Sequence, residues 1–594
     1  MPDNNGVEYT SPPQSRNEEI LADTLNGVEY TDPAQSRNEA LLKGLNMLIF
    51  TGGLTPNAIN MKFLGAAGDG VTDDTDIIKN ALRTADSTGQ PLYFPRGVYL
   101  CRWQQMRLGT MSGKDIKIMG DGKFESIIRF EHTHNGGSYG NGLTLLNIPT
   151  EEIQEPPKPN VTISNIGFVY DNTDPDVVYP TGDNSLFTMQ GVFNNVTLDN
   201  AYFHTQAVES TPAAESTAPE EERPPLRPKD TCFFPILGAK TVTITNCLFE
   251  NFTNGEVGGC AWLMPDSGNT NYGGIEDVIV SNNEFRNTNK DEALAIYTSD
   301  SGTAQGLIKN VIVSNNVFVH KNWTGEDCYF TNGLLGVFYK NSSLPTQDGN
   351  ILVSGNSFYS SKANQELIRS FGFRGVTISG NRLTVTGRSS ASALRAILIG
   401  ERGEGVVQGN ALDYTKITVE VTISASVGGY AMWTGNTITS GGNIAVAPAS
   451  GSSTLVFEKN TVKQGAGSNF IIRKNSASTV LCVYDNAVYG SVLFGGLKGA
   501  NLFVKGNKFN ALSSTPINVI PESSAGTSAL DASMNEGITF TFRNDKITTP
   551  MASFKFVGKK SDIAFYIGGQ LVEDSAETRA VFFTSADITY LGSE

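Results

Sequence analysis

Histidine is scarce: only His132, His134, His204 and His320 occur in 594 residues. A catalytic triad built on imidazole, or a His-ligated zinc site, has little to draw on. The six cysteines (Cys101, Cys232, Cys247, Cys260, Cys328 and Cys482) are too few and too scattered for a disulfide framework. With no C-x-x-C pair among them they read as buried free thiols, and neither a metal nor a cofactor is expected. Basic runs are absent as well. Lys and Arg number 44 against 60 Asp and Glu, a net charge of -16, which repels a nucleic-acid backbone over most of the surface. No hydrophobic run is long enough to span a bilayer; near the N-terminus the longest, residues 45–50, is far too short. The first residues, MPDNNGVEYTSPPQ, lack an apolar signal region, so an extracellular role needs another exit route, such as lysis of the producing cell.

What remains is apolar enough for a large core: 39% of residues are hydrophobic and 18% charged, a folded, soluble composition. Gly, at 62 residues, and a recurrent Asn suit a chain with many tight turns and short strands. Residues 1–46 hold a duplication, GVEYTSPPQSRNEEIL from Gly6 and GVEYTDPAQSRNEALL from Gly27. Ser15 with Glu18, and Ser36 with Glu39, have capping-box spacing. Two short capped helices bury little alone, so this segment needs a partner to pack on. Residues 47–60 follow as a linker.

From Phe63 the chain reads FLGAAGDGVTDDTDIIKNALRTADSTGQPLYFPRGVYL. Thr72 or Asp73 can cap a helix whose apolar stripe is Ile77, Ile78, Ala81, Leu82 and Ala85, ending near Gly89, with a strand at Leu92 to Phe94 after it. This segment resembles the pectate-lyase-like superfamily, whose members open with G-A-x-G-D-G-x-T-D-D-T and a Y-F-P-x-G-x-Y strand pair. The resemblance implies the N-terminal cap of a right-handed parallel β-helix and gives Asp73 and Asp74 a capping role rather than a catalytic one.

The repeat such a fold needs is countable. VTISNIGF from Val161, VTLDNAYF from Val196, VTITNCLF from Val242 and VIVSNNEF from Val278 begin a series of twelve that ends with LFVKGNKF from Leu502. Alternating strands restarted after a fixed turn describe an all-β solenoid of about twelve coils over residues 61–510. Asn283, Asn316, Asn356, Asn381, Asn410, Asn436, Asn460, Asn486 and Asn507 share one turn position and predict an amide ladder. The closing residues Phe168, Phe203, Phe249, Phe285, Phe318 and Phe358 predict an interior aromatic column. After Asn510 the signature stops, and residues 511–594 read as a β-rich domain that caps the open end and serves trimerisation.

Closing positions are 35, 46, 36, 33 and 40 residues apart from Phe168 to Phe358 and only 21 to 29 apart thereafter, so loops project from the earlier coils, where sites concentrate. One of them, residues 207–230, is rich in Pro and Glu and reads as a solvated excursion. Glu256, Glu292, Glu326 and Glu366 follow their closing Phe by seven, seven, eight and eight residues. Adjacent coils would set such carboxylates ~5 Å apart and alternate coils ~10 Å apart, which spans the separations of retaining and inverting glycosidases. Glu292, Glu326, Glu366 and Asp327 are therefore the catalytic candidates, although a solvated acidic face explains the column equally. Asp291 and Asp300 share the zone. Trp262, Tyr297, Trp323, Tyr339 and Arg369 are the substrate-binding candidates, with Tyr272, Tyr329 and Arg374 nearby. The Gly-His-Gly and Asn-Thr-Asp motifs of plant-type polygalacturonases are absent, so no catalytic residue carries over from them.

The whole pattern resembles a bacteriophage tailspike: a particle-anchoring segment, a β-helix and a β-rich C-terminal domain. That resemblance implies a homotrimer on a phage virion, released by host lysis. It would dock on a tail or baseplate protein through residues 1–46 and bind, and cleave, bacterial capsule or O-antigen as a depolymerase, a hydrolase before a lyase, without entering a membrane. A non-enzymatic receptor-binding or structural appendage on the same fold stays open, as does a secreted bacterial lyase.

Overall fold

A computed structural model describes residues 58–102, 106–108, 112–131, 142–148, 155–172, 183–207, 229–253, 259–264, 273–287, 292–298, 308–320, 334–339, 347–361, 366–387, 394–400, 402–425, 427–449, 451–474, 476–497, 501–510, 517–519, 529–547 and 549–592. The duplicated segment 1–46, nearly all of the linker and most of the excursion 207–230 lie outside them.

The chain winds into a parallel β-helix with three faces, named here A, B and C in the order A, B, C within each coil. Face B is one sheet of fifteen strands running from Asp69–Asp73 to Lys508–Asn510. Faces A and C share thirty strands, because Lys229–Thr245 pairs on C with its first half and on A with its second. Fifteen rungs exceed the twelve counted from sequence because Asp69–Asp73, Gly97–Cys101 and Ser126–Phe130 precede the first recognisable repeat. At ~4.8 Å per rung the rod is about 70 Å long.

The start is closed by the helix Thr75–Thr88, which buries Ile78, Ala81, Leu82 and Ala85 and stops at Gly89 in the left-handed conformation (φ 76°). Asp74 occupies the N-cap position, but its carboxylate accepts from the N–H groups of Ala67 and Gly68 at 2.7 and 3.1 Å. Asp73 accepts from the Thr75 N–H at 3.0 Å. Both acids brace the cap, as their motif implied.

Between faces A and B the ladder forms as expected. Each Asn side chain donates to the next one along the rod, from Asn283 to Asn316 at 3.0 Å and on to Asn507, and also to a strand carbonyl of the coil before, as Asn381 does to Val353. The residue before each Asn sits at positive φ, for example Asn282 (58°), Asn315 (56°) and Gly435 (64°), which explains the Asn or Gly preference there. The Phe column is real: Phe168, Phe203, Phe249, Phe285, Phe318 and Phe358 stack with centroids 4.6 to 5.2 Å apart and ring planes within 9°.

Pairing runs past Asn510, where the sequence reading ends the repeat. Val480–Tyr484 leads to Leu502–Lys505, then to Ala529–Asp531, Ser553–Gly558 and Ala586–Tyr590, all parallel on face A. Asn507 also donates to Asn535 at 3.0 Å, one more rung of the ladder. Departure from the solenoid comes only with the antiparallel pairing of Ile563–Ile567 and Gln570–Val572 and the short helix Ala576–Phe582.

Candidate functional site

Cross-coil register decides which outward residues meet. On face C, Phe234 follows Phe233, which pairs with Ala261; Trp262 pairs with Ala295, Ala295 with Gly336, Gly336 with Arg369 and Arg369 with Leu398. One row thus reads Phe234, Trp262, Ala295, Gly336, Arg369, Leu398. Two small residues, both buried, separate a half-exposed indole from a half-exposed guanidinium, with three coil spacings, about 14 Å, between the ends.

Each end is built. The Trp262 indole meets the Phe234 ring edge-on at 5.8 Å, and its N–H donates to the Glu292 carbonyl at 3.4 Å. Gly259 permits this: a Cβ there would stand 2.2 Å from the indole nitrogen and 2.1 Å from the Glu292 oxygen. At the other end the Arg369 guanidinium lies over the Phe371 ring at 4.9 Å. Phe371 in turn lies against Gly400, whose missing side chain leaves the ring its place.

Beside the row stand two of the predicted acids. Glu292 precedes Leu294 by two residues and Glu366 precedes Ile368 by two; Leu294 pairs with Leu335, and Leu335 with Ile368. The two residues therefore stand at equivalent points, each two ahead of strand starts that are in register two coils apart, a backbone separation of about 10 Å. Both residues are buried, Glu292 7% and Glu366 2% exposed. Glu366 pairs through Oε1 with Arg395 at 3.2 Å, while its buried Oε2 has no hydrogen-bond partner among the described residues. A buried carboxylate oxygen left unbonded is costly and calls for a reason.

Glu326, Asp327 and Trp323 lie outside the described residues, as do Glu256, Asp291, Asp300, Tyr272 and Tyr329. Tyr297 and Tyr339 are placed on face C as backbone, two and three positions past the row. Trp433 is core, 1% exposed. Arg374 stands on face A, paired with Glu404 at 3.5 Å, away from the row.

A second constellation, on the outer side of face B, went unread in the sequence. His204, Glu250 and Arg286 occupy one register row. Glu250 accepts from Tyr202 at 2.8 Å and contacts His204 Nδ1 at 3.1 Å, and its other oxygen pairs with Arg286, which also donates to Glu284 at 2.7 Å. Burial raises the Glu250 carboxyl, but the bonds from His204, Tyr202 and Arg286 outweigh it and hold the group down at about 2. Burial and the neighbouring carboxylate push the Tyr202 phenol up. An acid so firmly ionised is no proton donor near neutrality; this is an ion ladder that ties three coils together. Each of the three residues follows a closing Phe directly, and that column of alternating charge was the signal available.

Among the described residues no group of three His, Cys, Asp or Glu is arranged to hold a metal ion, five cysteines are free and buried, and no helix is long and apolar enough to cross a membrane.

Residues 58–218 match the family model described as rhamnogalacturonase A/epimerase, pectate lyase-like. That segment holds the cap and the first coils, where the resemblance to the pectate-lyase-like family is confined; the row and acids of face C lie beyond the match. No curated relative matches the sequence. Among solved structures, the A-module of mannuronan C-5 epimerase AlgE6 from Azotobacter vinelandii is 15% identical, with a TM-score of 0.37 over 77% of this chain and 99% of that one. The N-terminal fragment of gene product 12 of bacteriophage Phi29 is 12% identical, with a TM-score of 0.39 over 90% and 98%. The catalytic unit of a thermostable GH87 α-1,3-glucanase from Streptomyces thermodiastaticus strain HF3-3 is 13% identical, with a TM-score of 0.25 over 90% and 68%.

Proposed function

We propose that the protein is a phage tailspike that binds a bacterial surface polysaccharide, capsule or O-antigen, and hydrolyses it on face C. The observation that carries the reading is the pair Glu292 and Glu366, at equivalent points two coils apart beside a row that offers an indole at one end and an arginine at the other. An indole stacks on a sugar ring and a guanidinium binds a sugar acid. Long glutamate side chains rising from backbones about 10 Å apart reach the ~6.5 to 9.5 Å that an inverting glycosidase needs to admit water between acid and base. In this assignment Glu366, paired with Arg395, is the base, and its unbonded Oε2 receives the proton of the attacking water. Glu292 is the acid that protonates the leaving oxygen. Glu326 and Asp327, in the coil between, are the further candidates. Tyr297, Trp323 and Tyr339 extend the sugar-binding surface. In the virion the rod works as a homotrimer held to a tail or baseplate protein through residues 1–46.

Purified protein incubated with capsule and O-antigen preparations should shorten the polymer without the absorbance of an unsaturated product. Glu292→Gln or Glu366→Gln should lower turnover ~10² to 10⁴-fold, the size of an acid–base contribution, with sugar binding retained. Unsaturated ends would make the enzyme a lyase. Binding without any shortening would make the protein a receptor-binding appendage.

A further inference from the structure

The outer side of face B in the later coils carries a feature that neither the fold nor the face C site uses. Tyr359 and Tyr489 stand on it, 39% and 40% exposed. Ser357 pairs with Arg382 while Tyr359 pairs with Thr384, and Ala487 pairs with Lys508 while Tyr489 pairs with Asn510. Each tyrosine therefore has an exposed cation in the same relative place, one coil further on and in the neighbouring row. Register is unbroken from one tyrosine–cation pair to the other. Five rungs at ~4.8 Å set the two pairs about 24 Å apart.

The ground between them is low. Apart from Asp413 and Lys463, every outward side chain on these strands between the pairs is Thr or Ala. Asp413 turns its carboxylate to the Thr415 N–H at 3.1 Å and the Thr415 hydroxyl at 2.8 Å, at the end of its strand. From Tyr359 to Asn510 the face thus bears three cations, Arg382, Lys463 and Lys508, against one acid, on a chain whose net charge is -16. The Tyr359 hydroxyl meets that of Thr386, in the next coil, at 3.5 Å, so the ring lies along the surface.

These features describe the occupant. A phenol ring stacks on a sugar ring, threonine hydroxyls bond sugar hydroxyls, and a free cation on an acidic protein attracts an anionic group. A ligand met twice by the same pair at a fixed interval is itself periodic, as a polysaccharide of repeating units is and a globular partner is not. We propose that the outer side of face B from Tyr359 to Lys508 is a second, non-catalytic binding track for a surface polysaccharide whose repeating unit carries an acid group. A sugar ring stacks on each tyrosine, and an acid group of the polymer pairs with the cation beside it. The proposal rests on the reading of the ligand given above and adds the surface that keeps the polymer on the rod while face C cuts it. Two contacts on one polymer chain make the second binding step intramolecular.

The test uses the full-length protein on sensors coated with acidic capsule preparations, and with dextran as the neutral control. Wild type should retain the acidic polymer, less as salt is raised, and should not retain dextran. Tyr359→Ala/Arg382→Gln and Tyr489→Ala/Lys508→Gln should each weaken retention at least ~10-fold, because one pair alone forfeits the gain of two linked contacts. Mass by light scattering, the circular dichroism spectrum and the rate on short oligosaccharides should not change. Should an alanine disturb its strand, single changes decide: Arg382→Glu should weaken retention and Arg382→Lys should preserve it. Variants that hold the polymer as tightly as wild type overturn the track and leave the face C reading standing. Equal retention of dextran, or a lower mass in the variants, overturns it too, the second by making face B a contact between copies. A wild type that retains no polysaccharide overturns both.

Discussion

The coils between Val161 and Phe371 and those between Phe373 and Asn510 share a turn, a ladder and three faces, yet they invest them differently. The earlier coils stack phenylalanines inside and carry the ion ladder on face B and the aromatic and acidic residues on face C. The later coils close on Leu383, Leu412, Ile438, Val462 and Val488 and only at the last rung on Phe509, all buried, and keep short connections. Regularity is thus the property of the scaffold, and chemistry collects where the repeat has been lengthened. A parallel solenoid tolerates this because each coil is held mainly by its two neighbours, so a loop added at one corner leaves the pairing on the other two faces intact.

If the ladder is what both halves share, breaking it should cost the same in either. In the earlier coils Asn316 accepts from the Asn283 N–H and side chain at 2.9 and 3.0 Å and donates to Val280 and Asn356. Asn316→Ala leaves the Asn283 backbone N–H, one Asn283 amide N–H and the Val280 oxygen without this partner, about 3 to 9 kcal/mol at 1 to 3 kcal/mol per abandoned group. Asn460→Ala, with the same partners in a later coil, should match it. Denaturant melts of the two variants check this, and a loss under 1 kcal/mol in either would mean that water replaces the amide.

The aromatic column should separate the halves. Phe285 stacks on Phe249 at 5.0 Å and on Phe318 at 4.8 Å, and stacking adds roughly 0.5 to 1.5 kcal/mol per pair beyond area burial. Phe285→Leu, which installs the later coils' residue, should therefore cost about 1 to 3 kcal/mol. The converse, Leu412→Phe, should also destabilise by about 1 to 3 kcal/mol, because a core fitted to Leu has no room for a ring. A neutral result in both would show that the two interiors are interchangeable.

How much of this could be read from the sequence follows from the same division. In the later coils almost everything was legible: a fixed turn position, alternation of period two, and Asn at a constant place. The last rung, Asn535, escaped because residues 511–528 interrupt the strand pattern before it. On face C the legible part was that Glu292 and Glu366 belong to one column. Their offsets of seven and eight from Phe285 and Phe358 differ, yet the pairing puts both two residues ahead of in-register positions, since the corner loop absorbs the extra residue. Alternation shows which side of a strand faces in; register across a variable loop is set by backbone hydrogen bonds, which leave no periodic mark. Ala295 and Gly336, the small residues between Trp262 and Arg369, carried no signal for that reason. Arg374 was grouped with Arg369 by proximity in sequence, although five residues carry the chain from face C to face A.

The smallest effect expected is on acid stability, and it too divides the halves. Glu250 is held at about 2 against an ordinary 4.5, so the native state favours the ionised carboxylate more than the unfolded chain does. The sign follows directly: this contribution is fully present above pH 4.5 and is lost as pH falls from 4.5 towards 2. The groups facing Glu250 are Tyr202, His204 and Arg286, with Glu284 beyond Arg286. In Glu250→Gln the neutral amide cannot lose a charge, so its melting temperature should be lower than wild type at pH 6 and fall less between pH 5 and pH 3. The two curves should converge by pH 3 by at least half of their separation at pH 6. Parallel curves over that range would show that the ladder on face B is screened by solvent, and that the earlier coils take their stability from the phenylalanine column alone.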